Sequence, residues 1–343
     1  MTETTFHGRR AASIENDHLR VTVLIEGGHI AEIFHKACGV NPLWVPPWTS
    51  IEPSTFRAAA DGPFGDGVES KLLSGIMGQN LCLDVFGGPS AEECAAGIGV
   101  HGESSVDPYK VTGVGDGMLM QAAFPLAGLG FERRIALEGE TVWIGETVEN
   151  LGATDRPIAW TQHVTLGPPF LARGETRFLA SATRSRTFEG AFGADDYLQP
   201  AAEFNWPMAP GLDGAPADMR VFSAAPKSSA FTAHLMNQGR KEAYFAAWSP
   251  ASRLLFGYVW KSADFPWMGI WEENHSRTHA PWNGRTMTRG MEFGVSPIPE
   301  TRRAMIERGR TFGVPGFAWV PAKSRVHVEY RAVAHEAPGV AEL

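Results

Sequence analysis

The chain has 343 residues, and 43% of them are hydrophobic, which is enough to bury a large core. The formal net charge is -8 and no Lys/Arg-rich run occurs, so nucleic acid and anionic membrane surfaces are poor partner candidates. Residues 1–10 are polar, and no apolar run of about 18 residues follows, which predicts a cytoplasmic protein without a membrane span. Cys38, Cys82 and Cys94 lack metal-type spacing and are expected to be reduced thiols.

Short strand-like runs separated by turn residues dominate the sequence. Apolar residues recur at every second position from residue 19 to residue 25, and a Gly-Gly turn follows. Four runs with Gly-containing breaks then predict a β-meander: residues 109–114, 118–125, 130–137 and 142–149. The pattern resumes at residues 157–166, 177–182, 243–248, 253–260, 267–271, 290–295 and 326–333. The one convincing helix covers residues 299–308.

This order of elements predicts an all-β protein. No amphipathic helices of 10–15 residues separate the strands, which argues against a doubly wound α/β fold. A chain with so many strands must protect its sheet edges, and large antiparallel sheets packed face to face are one solution. We expect one domain over residues 1–343. Two long irregular stretches, residues 44–70 and 189–216, are expected to form walls or lids of a site.

Residues 265–275 place two tryptophans, two carboxylates, an amide and an imidazole on one strand and its exit. A polar end on an apolar strand can present hydrogen-bonding groups at a pocket. In a strand, Trp271, Glu273 and His275 would share one side, and Glu272 and Asn274 the other. Only one set can face a ligand, and the sequence leaves open which.

Three further residues are candidates for chemistry. His101 has small neighbours, which allow close approach of a ligand, and His163 lies on an apolar strand. Glu292 is flanked by apolar residues, a setting in which a carboxylate has a partner or serves as a general base. The alternatives are a structural core histidine and a structural salt bridge.

In this order the segments resemble the galactose mutarotase superfamily, which includes the aldose 1-epimerases. The matching features are an opening segment at residues 14–21 with a Gly-Gly turn, His101-Gly102 before the meander, His163 at mid-chain, and Glu292 near the C-terminus. They are short matches spread over nearly the whole chain. The resemblance implies a large antiparallel β-supersandwich with few short helices.

Two departures mark a divergent member of that superfamily. Residues 78–87 lack the arginine of the usual Asn-Arg pair, and residues 162–167 read Gln-His-Val-Thr-Leu-Gly in place of Asn-His-Pro-Tyr-Phe-Asn. The fold therefore carries over further than the substrate.

The resemblance implies an aldose 1-epimerase that acts on a small-molecule carbohydrate without a cofactor or metal. Glu292 would be the base, His163 the acid on the opposite side of the sugar, and His101 would polarise the ring oxygen or a hydroxyl. The candidates for binding the sugar are Trp271, Gln79, Asn80, Gln162, Glu272, Glu273, Asn274 and Arg277. We expect a monomer or a homodimer.

Three alternatives stay open. One is a sugar-binding module without catalysis, because fold does not fix function. Another is a different sugar-active enzyme, such as an epimerase, a lyase, or a glycosidase that uses Glu272 and Glu292 as paired carboxylates. The third is a metal site built from His101, Glu103, His163 and a carboxylate.

Overall fold

The computed structural model describes residues 1–59 and 62–339, and strands make up most of its regular structure. In chain order the strands are β1 (Thr2–Phe6), β2 (Arg9–Glu15), β3 (Leu19–Leu24), β4 (Ile30–His35), β5 (Gln79–Asp84), β6 (Lys110–Val114), β7 (Gly117–Phe124), β8 (Leu129–Glu138), β9 (Thr141–Asn150), β10 (Arg156–Leu166), β11 (Arg177–Ala180), β12 (Ala182–Thr187), β13 (Glu203–Asn205), β14 (Met208–Pro210), β15 (Pro216–Asp218), β16 (Ser228–Met236), β17 (Glu242–Ser249), β18 (Leu254–Lys261), β19 (Trp267–Asn274), β20 (Met287–Gly294), β21 (Arg310–Thr311), β22 (Val314–Pro315), β23 (Ala318–Val320) and β24 (Arg325–Glu336). The helices are α1 (Ser70–Leu73), α2 (Ala91–Ala95) and α3 (Arg302–Arg308), with 3-10 turns at Pro53–Thr55 and Glu103–Ser105.

Two large sheets organise the described residues. The first has twelve strands in the order β1-β2-β3-β4-β5-β10-β20-β19-β16-β12-β13, with β23 beside one end of β10. The second has eight, in the order β11-β17-β18-β24-β9-β8-β7-β6. Neighbouring strands in both sheets run antiparallel, and the predicted meander is the run β6–β9 at one end of the second sheet. The all-β, antiparallel prediction is confirmed.

The core lies between the two sheets, which pack face to face. Phe293 of the first sheet stacks on Trp260 of the second at 4.2 Å between ring centroids, and its ring also meets Tyr330 at 5.3 Å. Aromatic pairs at such distances add to the free energy gained by burying their area. The opposite face of the twelve-stranded sheet is covered by loops, so its central strands are buried on both faces.

Helix α3 begins later than the sequence predicts. Thr301 is its N-cap, and the Thr301 Oγ1 accepts a hydrogen bond from the backbone N–H of Ala304 at 3.3 Å, so residues 299 and 300 precede the helix. Helices α1 and α2 have only four and five residues, which is too short for a helix to be recognised from its apolar periodicity. None of the helices in the described ranges is long and apolar enough to cross a bilayer.

Candidate active site

A cleft of about 240 Å³ opens on the face of the twelve-stranded sheet that points away from the second sheet. Its walls are mainly aromatic: Trp44, Phe86, Phe192, Phe231, Trp271 and Trp282. The two long irregular stretches both contribute, since Trp44 belongs to the first and Phe192 to the second. Aromatic faces of this kind can stack on the C–H faces of a small ring-shaped ligand.

The floor of the cleft is a row of residues paired across neighbouring strands. His163 on β10 lies directly opposite Asn80 on β5 and opposite Glu292 on β20, and Glu292 lies opposite Gly269 on β19. Directly opposed residues project from the same face of a sheet. Register therefore brings together an imidazole and a carboxylate that are well over 100 residues apart along the chain.

His163 and Glu292 are in direct contact. His163 Nε2 lies 3.0 Å from Glu292 Oε1, and both side chains are buried. A proton can pass between two atoms at this distance, so the pair can work as one acid–base unit. Both side chains therefore lie on the same side of the cleft. This corrects the expectation that an acid and a base stand on opposite sides of a ligand.

The other ring nitrogen of His163 is also held. Its Nδ1 lies 2.9 Å from the hydroxyl of Thr165, two residues further along the same strand and on the same face. A hydroxyl can donate to or accept from this nitrogen, so the contact suits both protonation states of the imidazole. Thr165 thereby orients the ring towards Glu292.

His101 completes the polar floor. Its ring centroid lies 5.0 Å from that of His163, and Asn80 Nδ2 is 3.0 Å from His101 Nδ1. Burial lowers the pKa of His101 well below its usual value, and the nearby His163 and His29 lower it further. The His101 imidazole is therefore neutral near pH 7 and has one N–H to offer.

Arg277 is the basic side chain on the cleft wall. Its guanidinium carbon lies 4.8 Å from the ring centroid of Trp282, 5.5 Å from that of Trp271 and 5.9 Å from that of Phe192. Glu273 accepts the backbone N–H of Arg277 at 3.0 Å, but its second carboxylate oxygen is 3.6 Å from the Arg277 Nε. Within the described residues the guanidinium makes no hydrogen bond, so its donors stay available for a ligand.

The architecture is shared with solved structures of other proteins. No protein-family model and no curated protein sequence matches the chain. A protein of Klebsiella pneumoniae provisionally named an aldose 1-epimerase superposes with a TM-score of 0.69 at 13% identity, over 96% of this chain and 80% of that one. A galactose mutarotase-like protein of Clostridium acetobutylicum gives 0.64 at 12% identity, over 98% of each chain. The chain has the galactose mutarotase-like fold.

In this galactose mutarotase-like sheet, four predicted binding residues lie on the wrong face. Gln79 and Gln162 point between the sheets, where they hydrogen-bond each other at 2.9 Å and join Glu146 and Tyr330 in a buried network. These predictions fail because neighbouring residues of a strand alternate between faces. The other two predicted binding residues that lie on the face away from the cleft are Glu272 and Asn274.

Glu272 is held by an internal partner in the same way. Its carboxylate pairs with Arg289 at 3.2 Å and accepts the hydroxyl of Ser228 at 2.6 Å, and all of these groups are buried. Asn274 donates to the carbonyl of Ala225 at 2.8 Å. Glu272 therefore cannot supply the second carboxylate of a glycosidase at this cleft.

Asn80 and Glu273 lie on the cleft side of the sheet but behind its lining, Asn80 against His101 and Glu273 against Arg277. The proposed metal set is also separated. Both carboxylate oxygens of Glu103 accept backbone N–H groups, of Leu126 at 3.0 Å and of Ala127 at 2.8 Å. Across residues 1–59 and 62–339, no three His, Cys, Asp or Glu side chains are placed to share a metal ion.

Several lining residues escaped sequence reasoning. Thr165 is two positions after His163, so strand alternation alone could have placed it beside the imidazole. Glu69 lies near the end of the irregular stretch 44–70, and Trp282 lies between Arg277 and Glu292; both line the cleft. The expectation of a wall at residues 44–70 does not single out Glu69, and no sequence pattern indicates that the loop with Trp282 folds over this face of the sheet.

Proposed function

We propose that the protein interconverts the anomers of an aldose sugar by general acid–base catalysis, as an aldose 1-epimerase does. The observation that carries this proposal is the contact of His163 Nε2 with Glu292 Oε1 at 3.0 Å on the floor of an aromatic cleft. The cleft lies just below the range of about 300–1,000 Å³ that suits drug-sized ligands, as expected for a smaller ligand such as a monosaccharide.

The chemistry needs two proton transfers and no added atoms. The Glu292 carboxylate takes the proton of the anomeric hydroxyl, and the protonated imidazole of His163 turns its Nε2–H from Glu292 to the ring oxygen and gives it that proton. The bond from C1 to the ring oxygen breaks with its electron pair going to that oxygen, and C1 becomes an aldehyde carbonyl. After rotation about C1–C2, the ring oxygen attacks the other carbonyl face and both protons return.

An acid and a base in contact can serve this reaction. The anomeric oxygen and the ring oxygen are bonded to the same carbon, so two adjacent side chains can reach both of them from one side. The His101 N–H would then hydrogen-bond a sugar oxygen, Trp271 would stack on the ring, and Arg277 would bind hydroxyls at the wall. The alternative of a sugar-binding module without catalysis would use the same cleft. The experiments below distinguish such a module from an enzyme.

The test follows optical rotation after dissolving fresh crystalline α-aldoses, both hexoses and pentoses, with the spontaneous rate subtracted. The wild-type protein should accelerate mutarotation of at least one sugar. Glu292→Gln and His163→Ala should each lower kcat by roughly 10²–10⁴-fold, the usual worth of one acid or base. Glu307→Gln, which changes an exposed carboxylate on α3, is the matched control and should retain full activity.

Tryptophan fluorescence of the cleft separates binding from catalysis. Glu292→Gln should still bind the preferred sugar, because the aromatic walls are unchanged. A wild-type protein that binds sugars without accelerating mutarotation would be a binding module. Wild-type activity that survives both substitutions would rule out the roles given to His163 and Glu292.

A further inference from the structure

We propose that Asn80 is a positioning residue that sets the tautomer of His101, so that the His101 ring offers its Nε2–H to the cleft. The catalytic consequence rests on the function proposed above. The tautomer itself is a property of the chain and can be measured without any sugar. Asn80 is fully buried and does not line the cleft, so its effect on a ligand must pass through His101.

The direction of the hydrogen bonds follows from a backbone carbonyl. The oxygen of Leu81 can only accept, and the hydroxyl of Ser105 lies 2.7 Å from it. Ser105 therefore donates its single hydroxyl hydrogen to the carbonyl oxygen of Leu81. Towards Asn80, 3.0 Å away, the Ser105 oxygen can only accept, so the Asn80 atom that faces it must be the amide nitrogen.

The same amide nitrogen reaches His101. Asn80 Nδ2 carries two hydrogens and lies 3.0 Å from the Nδ1 of His101 as well as 3.0 Å from Ser105. One hydrogen goes to each partner, so the His101 Nδ1 accepts. In a neutral imidazole the ring proton must then sit on Nε2. Among the described residues, Nε2 has no hydrogen-bonding partner, and the His101 side chain lines the cleft.

The backbone around His101 holds this arrangement in place. His101 has a φ of +65° and Gly102 a φ of +78°, and a Cβ at residue 102 would lie 2.3 Å from the carbonyl oxygen of Leu83. Only glycine fits there. The turn packs against β5, where the hydroxyl of Ser104 donates to the carbonyl of Leu81 at 2.6 Å. His101 and Asn80 are thus fixed to the same strand.

Because the neutral His101 ring carries one N–H, its tautomer decides whether the ring can donate a hydrogen bond to the sugar. With the proton on Nε2, His101 donates a hydrogen bond to a sugar oxygen that gains negative charge as the ring opens. With the proton on Nδ1, the ring would present a lone pair to that oxygen and repel it. Asn80 therefore contributes to turnover without touching the sugar.

Nitrogen-15 NMR of histidine-labelled protein tests the tautomer directly, with His101 assigned by comparison with His101→Gln. The wild-type ring should show the neutral Nε2–H form throughout about pH 6–8. In Asn80→Asp the carboxylate can only accept, so the His101 Nδ1 must carry a proton. The spectrum should then change to the Nδ1–H form or to the imidazolium. Asn205→Asp, on the exposed edge strand β13, is the matched control and should leave His101 unchanged.

The activity readout has a characteristic pH dependence. In Asn80→Asp, kcat/KM for mutarotation should fall by about 10²-fold near pH 8, the lower end of the usual effect of losing one well-placed donor. It should recover partly as the pH is lowered, because the imidazolium carries an N–H on both nitrogens. A merely structural role for Asn80 would lower activity equally at every pH.

Ser105→Ala gives an independent test that introduces no buried acid. Without the Ser105 oxygen, the Asn80 amide can turn over, so the His101 signals should report a mixture of both tautomers. A wild-type His101 with its proton on Nδ1, or one that titrates between about pH 6 and 8, would overturn the proposal. An Nε2–H tautomer that Asn80→Asp abolishes, in a protein without mutarotase activity, would sustain the positioning role and refute the proposed function.

Discussion

Gly290 leaves the space that the Glu292 carboxylate occupies. The two residues lie on the same face of β20, and a Cβ at position 290 would come within 2.4 Å of Glu292 Oε1. Gly290→Ala should therefore push the carboxylate away from His163. We expect kcat for mutarotation to fall about tenfold or more, because proton transfer depends on hydrogen-bond distance. Polarimetry on fresh sugar measures the loss.

The control for this substitution is Gly190→Ala, because a Cβ at residue 190 meets nothing within 4 Å. Both variants should remain folded by circular dichroism, and the control should retain wild-type kcat. Full activity in Gly290→Ala would mean that the position of the Glu292 carboxylate does not matter for turnover.

Sequence pattern could predict the strands but not their partners. The sequence predicts strands at residues 157–166 and 290–295, and the resemblance singles out His163 and Glu292 on them. Their contact, however, depends on β20 pairing with β10 across more than 100 intervening residues. Register between such distant strands is set by the packing of the whole sheet, which no local pattern encodes. The 3.0 Å contact of acid and base was therefore beyond sequence reasoning.

The sequence also does not predict which residues of the central strands face the cleft. Every residue of β5 is buried, whether it faces the cleft or the second sheet. When both faces of a strand are covered, polar alternation no longer marks the outside. Gln79 and Asn80 looked equivalent for this reason, yet Asn80 supports His101 and Gln79 joins the core network with Tyr258 at 2.6 Å.

Arg277 provides a prediction about binding. Its guanidinium is stacked among aromatic rings and donates no hydrogen bond to the residues that the structure describes, so Arg277→Gln should raise KM more than it lowers kcat. A rise of about tenfold is expected, since a hydrogen bond from a charged group contributes about 1.5–3 kcal/mol. Arg303→Gln, at an exposed site on α3, should change neither constant. An unchanged KM in Arg277→Gln would place the sugar away from this wall.

The buried pair of Arg133 and Glu146 makes a prediction about stability. Their side chains are fully buried with 2.8 Å between Arg133 Nε and Glu146 Oε1, and Glu146 also accepts from Tyr330 at 2.7 Å. Glu146→Gln leaves the Arg133 charge uncompensated, so unfolding in urea should show a loss of about 3–5 kcal/mol. Glu149→Gln, on the same strand, breaks a largely exposed pair with Arg325 and should cost about 1 kcal/mol or less. Equal losses would contradict this account.

Two buried histidines that do not line the cleft predict how the free energy of unfolding depends on pH. Burial lowers the pKa of His29 and of His234 to about 3, against about 6.5 in an unfolded chain. Between these values the unfolded chain binds more protons, so the free energy of unfolding should fall as the pH drops below about 6.5. His234→Gln removes one of the protons taken up on unfolding, so the free energy of unfolding should change with pH less steeply, by about 1.4 kcal/mol per pH unit. This holds even if the substitution also destabilises the protein at neutral pH. His7→Gln, at an exposed site, is the control. Urea titrations across this pH range measure the slope, and an unchanged slope in His234→Gln would show that this histidine is not held neutral by the fold.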